Sequence, residues 1–196
     1  MKKIKSVFQR NYEGDRLVRD EVVPGCEWVL EGEGVATRKF DGTCCLVDGG
    51  NLFKRYDAKN GKTPPPDFVP AQPEPDPITK HWPGWVPVSS DNKADRWHVE
   101  AWERYLAQND GLVNDGTYEL CGVHFQGNPE NIEDGDTFIR HASLILPDVP
   151  RTFAGLRAYL EAAYMEGIVF HRGNGDMAKI KRTDFGFEWG GKTRKR

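Results

Sequence analysis

The sequence predicts an α+β fold, and three observations carry that expectation. Short β-type runs, punctuated by Gly and Asp-Gly turns, fill residues 27–57 and recur near both 116–146 and 165–182. Two longer stretches carry apolar residues at helical spacing. The strands come in adjacent turn-linked groups rather than in strand–helix–strand crossovers, which favours α+β over a doubly wound sheet.

Taken in order, VATRK and CCLV are expected as strands on either side of an FDGT turn, with NLFKRYD a third strand after DGG. Residues 64–87 then hold nine of the 13 prolines. Proline lacks the amide donor that a central strand needs, so residues 64–90 read as a surface-tracking or mobile insertion. Its Trp82 and Trp85 are expected to pin it to the body. DRWHVEAWERYLAQNDG reads as a helix with Asp95 as cap, a stripe of Val99, Trp102 and Leu106, and a stop at Asn109-Asp110-Gly111. GTYELCGVHF and TFIRHASLIL read as strands. A second helix is expected from Thr152 to Ala163, burying Phe153, Leu156, Tyr159, Leu160 and Ala163. It leads into the strand MEGIVFHR, which NGD turns into its partner MAKIKR.

At 196 residues, of which 38% are apolar and 29% charged, the chain fits one ordinary domain with a buried core. Residues 1–196 are therefore expected as a single domain. The cysteines are Cys26, Cys44, Cys45 and Cys121, with no CxxC pair to suggest structural zinc. In a strand, Cys44 and Cys45 point to opposite faces, and at least one becomes a small core residue. The N-terminus has lysines but no apolar signal-peptide core, and no window approaches membrane-spanning length. An intracellular, cytoplasmic protein without a membrane partner is expected, as is a monomer.

Net charge is −3, which argues against indiscriminate DNA binding, but the charge is unevenly spread. Residues 63–170 carry 7 Lys/Arg against 17 Asp/Glu, whereas residues 171–196 carry 8 against 3. The segment 183–196 reads as a basic C-terminal extension, either a solvated tail or an anion-binding surface.

Charges inside strands are costly unless they are paired or serve a site. Lys39 and Asp41 flank the first turn, Lys54 and Arg55 lie in the third strand, and Glu119 interrupts TYELCG. Glu166 opens EGIVF, and Lys179 and Lys181 share one face of AKIKR while Ile180 takes the other. Several lysines, an arginine and two glutamates suit a polyphosphate with a divalent metal: the cations meet charge building on phosphorus, and the carboxylates hold the metal. A lysine amine serves as nucleophile when desolvation or neighbouring cations favour its neutral form. His98, His124 and His141 lack metal-ligand spacing and read as surface or satisfied polar residues.

These residues fall in a recognisable order. Lys39-Phe40-Asp41-Gly42, FKR with Arg55, YELCG with Glu119, EGIVF with Glu166 and KIK with Lys179 and Lys181 resemble the blocks of the covalent nucleotidyltransferase superfamily of polynucleotide ligases and messenger-RNA capping enzymes. The resemblance spans roughly residues 28–182, and KFDGTCC is most similar to the small RNA ligase branch. It implies an adenylation domain of two antiparallel-rich sheets with packed helices, ATP-grasp-like and without an OB domain. It further implies ATP and Mg²⁺ or Mn²⁺, a Lys39 nucleophile that becomes lysyl-AMP, and RNA with 5′-phosphate and 3′-hydroxyl ends as substrate. Lys179 and Lys181 would hold the α-phosphate. Glu166 would bind metal, Glu119 sugar or metal, and Arg55 ribose, phosphate or the RNA 5′-phosphate. Asp41 would shape the turn or bond near the nucleotide, and Phe40 would pack inward. One position departs from the pattern: Arg38 stands where related ligases commonly have Glu, and Arg has no acceptor for an adenine amino group. The same resemblance leaves a DNA nick ligase, a guanylyltransferase or a catalytically silent nucleotide- or RNA-binding protein as alternatives. Phe185, Phe187 and Trp189 are expected either to contact RNA or to pack in the core.

Overall fold

The computed structural model describes residues 3–77 and 79–190. In chain order its elements are β1 (Lys5–Ser6), β2 (Phe8–Arg10), β3 (Val18–Val22), α1 (Glu27–Leu30), β4 (Val35–Lys39), β5 (Thr43–Asp48), β6 (Asn51–Ala58), β7 (Val69–Pro70) and β8 (Trp82–Pro87). Then come α2 (Arg96–Gln108), β9 (Gly116–Cys121), β10 (Thr137–Arg140), α3 (Phe153–Ala162), β11 (Gly167–His171) and β12 (Met177–Lys181). The fold is α+β, and among the described residues every strand pairing is antiparallel except that of β1 with β12. The described residues form two compact units, Lys3 with Gly42–His141, and Ile4–Asp41 with residues 142–190.

The second unit holds a four-stranded sheet in the order β1-β12-β11-β4 and the separate β2-β3 pair. Ala36, Ile168, Phe170, Ala178 and Ile180 line one face of the sheet and are buried with Val7, Phe8, Trp28, Val29, Leu156 and Leu160. As expected, α3 buries Leu156 and Leu160 completely and rests Phe153, Tyr159 and Ala163 against the same core. Each fully buried leucine contributes about 1.5–3 kcal/mol. The Thr152 hydroxyl caps α3 by accepting from Gly155 N at 3.1 Å. Core packing claims the C-terminal aromatics: Phe185 and Trp189 are buried and Phe187 packs on Phe185. The basic residues 192–196 lie outside the described residues.

The first unit holds a six-stranded sheet in the order β10-β9-β5-β6-β8-β7. One face packs Cys45, Val47, Tyr118, Leu120 and Phe138 against α2. The helix has its expected place, but it packs along Trp97, Ala101 and Tyr105 with Trp102 beside them, not along Val99 and Leu106. Asp95 stands at its N-cap position without a side-chain capping bond. Instead the buried Asp95 carboxylate pairs with Lys54 and accepts from Ser89 N at 3.1 Å. A buried charge is better satisfied by a cation than by one amide.

The proline-rich segment is not wholly an insertion, because Trp82–Pro87 runs as a strand beside β6. Pro83 directs its carbonyl to Ala71 N, toward β7, so its missing amide falls on that side as well. Pro87 shares its parity, and β7 is only two residues long, so few donors are missed. Trp85 is buried and anchors the segment as expected, whereas Trp82 Nε1 donates at 2.8 Å to the Gln72 carbonyl within the segment itself.

Candidate active site

VATRK and TCC, although adjacent in sequence, enter different sheets. The connection between them is tight at Gly42: a Cβ there would overlap the Leu120 carbonyl and come within 2.8 Å of Cys121 Sγ. Glycine is required by this close approach of backbones.

Lys39 ends β4, where it pairs with Gly167 of β11, and Gly167 pairs on its other side with Lys181 of β12. The next row on the same pleat face is Thr37, Val169 and Lys179. Gly167 therefore lies between two lysines without a side chain of its own, and a Cβ there would run into the Ile180 carbonyl. Glu166, one residue before β11, is buried, and its two oxygens reach Lys39 Nζ at 2.5 Å and Lys181 Nζ at 2.9 Å. Burial together with the neighbouring Lys181 and Lys39 lowers the pKa of Lys179 to about 8, with Glu166 opposing the shift. Lys39, Glu166, Lys179 and Lys181, all singled out in the sequence, thus form one cluster on one sheet face.

Supporting groups without a sequence signature hold this cluster. Asp184 Oδ2 accepts from Lys181 N at 3.0 Å, fixing the end of β12, and the same carboxylate pairs with Arg10. Trp189 Nε1 donates to Asp41 Oδ2 at 2.9 Å, and its ring lies 4.9 Å from that of Tyr164. Asp41 therefore ties the C-terminal segment to the residues just after Lys39. Arg38 faces the opposite pleat side from Lys39, with its guanidinium 4.7 Å from the centre of the Phe40 ring. Phe40 is half-buried under that cation rather than in the core.

Arg55 and Glu119 belong to the other unit, where they share the sheet face opposite the α2 core. Cys44 stands directly across from Glu119, and Arg55 is one residue beyond the Cys45–Lys54 pair, which brings it alongside Cys44. Glu119 Oε1 accepts from Gly42 N at 3.0 Å, and Oε2 lies 2.9 Å from His141 Nε2. The Arg55 guanidinium lies 5.3 Å from the Trp85 ring centre and borders a cavity of about 300 Å³ beside Asp57, Asp76 and His81. Cys45 is fully buried, which pushes its thiol pKa up, whereas Cys44 is half-buried on the other face. His124 bonds Asp136 at 2.7 Å, as a satisfied polar residue should. His98 differs, since its ring nitrogens are buried without a hydrogen-bond partner among the described residues and burial lowers its pKa.

An α+β protein with a lysine–glutamate–lysine cluster on one sheet face has the equipment to handle an anionic substrate. No family model matches the chain. Its sequence is, however, similar to RNA ligase 1 of Pongo abelii, at 27% identity over 79% of this chain and 68% of that protein. RNA ligase 1 of Rattus norvegicus is 26% identical and that of Danio rerio 25%, each over the same shares. These similarities support a relationship to the RNA ligases. Among the described residues, no helix is long and apolar enough to cross a membrane.

Proposed function

We propose that the protein is an ATP-dependent RNA ligase that works through a lysyl-AMP at Lys39. The observation that carries this reading is the cluster itself: an amine held 2.5 Å from a buried carboxylate, with two further lysines on the same face. Lys39 Nζ attacks the α-phosphorus of ATP, a P–N bond forms, and the bond to the bridging oxygen breaks to release pyrophosphate. The nitrogen must lose its protons, and Glu166 Oε2 is within reach to accept one. Lys179 and Lys181 meet the charge that develops on the α-phosphate oxygens. AMP then passes to an RNA 5′-phosphate, and a 3′-hydroxyl displaces it to seal the strand.

The Glu166 carboxylate offers hard oxygen donors, which fit Mg²⁺ or Mn²⁺ bound through few protein ligands and the substrate phosphates. Such an ion neutralises phosphate charge when bound. Arg55 and Glu119 enter the proposal through the resemblance alone, Arg55 as a contact to ribose, phosphate or the RNA 5′-phosphate and Glu119 as a contact to sugar or metal. Incubation with Mg²⁺ and each α-labelled NTP, followed by 5′-phosphorylated RNA or DNA, tests the reading. ATP should label the wild type and RNA should discharge the label. A label from GTP alone would assign a guanylyltransferase instead, and a label retained in Lys39→Ala would refute the nucleophile.

A further inference from the structure

The geometry points to a second metal site, formed by Cys44, Glu119 and His141 and selective for a transition ion such as Zn²⁺; it shares Glu119 with the ligase reading but rests on its own geometry. One donor atom from each residue lies within 4.8 Å of the others. The three are distant in sequence and meet only through strand pairing. Cys44 of β5 faces Glu119 of β9 directly, and His141 follows β10, two residues beyond Ile139, the partner of Glu119. The bond from His141 N to the Thr117 carbonyl, at 3.0 Å, extends the ladder by one step and turns the imidazole back onto the same face. Spacing rules look for CxxC or HxxxH within one segment. They pass over a set in which each ligand comes from a different segment.

The donor chemistry selects the ion. Thiolate, imidazole and carboxylate together are a zinc-type set, whereas Mg²⁺ and Ca²⁺ prefer oxygen alone. Tetrahedral zinc separates its ligand atoms by about 3.4–3.8 Å, given its bond lengths. The observed spread needs only a small contraction, while the Glu119–His141 contact of 2.9 Å opens to admit the ion between them. The Gly42 amide already holds the other Glu119 oxygen at 3.0 Å, the outer support that orients a metal-binding carboxylate. With three protein ligands, a fourth position stays open to water or another small donor. Binding releases the Cys44 thiol proton, so affinity rises with pH.

Co²⁺ titration of the chelator-treated, reduced full-length protein tests the site. A thiolate-to-cobalt charge-transfer band together with tetrahedral visible bands is expected, and Zn²⁺ should abolish both. Cys44→Ser should remove the charge-transfer band, and His141→Gln should weaken Co²⁺ binding by at least about tenfold. Both variants are to be matched to the wild type by circular dichroism. Lys39→Ala should bind Co²⁺ as the wild type does, so that loss of adenylylation and loss of this site are read separately. A titration without a thiolate band, or a band that survives Cys44→Ser, would overturn the proposal.

Discussion

Lys179 is the residue whose environment makes the clearest demand. Its pKa of about 8, against a usual 10.5, means that the folded chain gives up this proton at lower pH than the unfolded chain. Between those two values the unfolded state binds more protons, so stability contributed by this group rises with pH across the window. Binding behaves in the opposite way. If Lys179 holds phosphate as a cation, ATP affinity falls as pH rises through about 8, with the limb moved upward by the bound anion. Measured by ATP binding to Lys39→Ala, where loss of the Lys39 charge moves the limb further upward, it should disappear when Lys179→Arg is added, since the guanidinium stays charged throughout. A fall unchanged in Lys179→Arg would assign the effect to another group. At the same scale, Lys39→Ala should abolish covalent labelling. Glu166→Ala should reduce it by roughly 10²–10³-fold, since it leaves Lys39 and Lys181 without their shared carboxylate.

At the scale of elements, the site depends on the register of three strands. Gly167 between Lys39 and Lys181 fixes which lysines are neighbours, and a slip of one residue by β4 or β12 would turn that strand's lysine onto the core face. Gly42 secures the start of β5 differently, by allowing close passage beneath the Leu120 carbonyl. Gly42→Ala should cost about 1–3 kcal/mol, read as a lowered melting temperature, because neither backbone can give way easily. Trp189→Phe keeps an aromatic ring but loses the bond to Asp41, and should cost about 0.5–1.5 kcal/mol in denaturant unfolding. The strands carrying charge were legible in the sequence because their residues alternate with apolar ones, as in AKIKR. The packed stripe of α2 was not. Trp97, Ala101 and Tyr105 are no more apolar than Val99 and Leu106, and only the facing sheet selects between the two sets.

For the whole molecule, ligand binding should be visible in stability. ATP at a hundredfold excess over its dissociation constant should add about 2.7 kcal/mol to unfolding, measured as a thermal shift that GTP does not reproduce. A variant that keeps this shift but loses labelling, as expected for Lys39→Ala, separates binding from chemistry. By itself the sequence determined the order of β4, β5, β6, α2, β9, β10, α3, β11 and β12 and marked Lys39, Glu166, Lys179 and Lys181 among the charges that lie in or beside strands. These follow from local alternation, from turn residues and from the cost of placing charge in half-buried strands. Tertiary structure alone decided that the chain forms two units and that Trp82–Pro87 joins a sheet despite its prolines. It also decided that Trp189 bonds Asp41 and that Cys44, Glu119 and His141 converge. Each of these is a pairing between segments distant in sequence, set by which backbone edges and apolar faces meet, and no local pattern of residues encodes such a meeting.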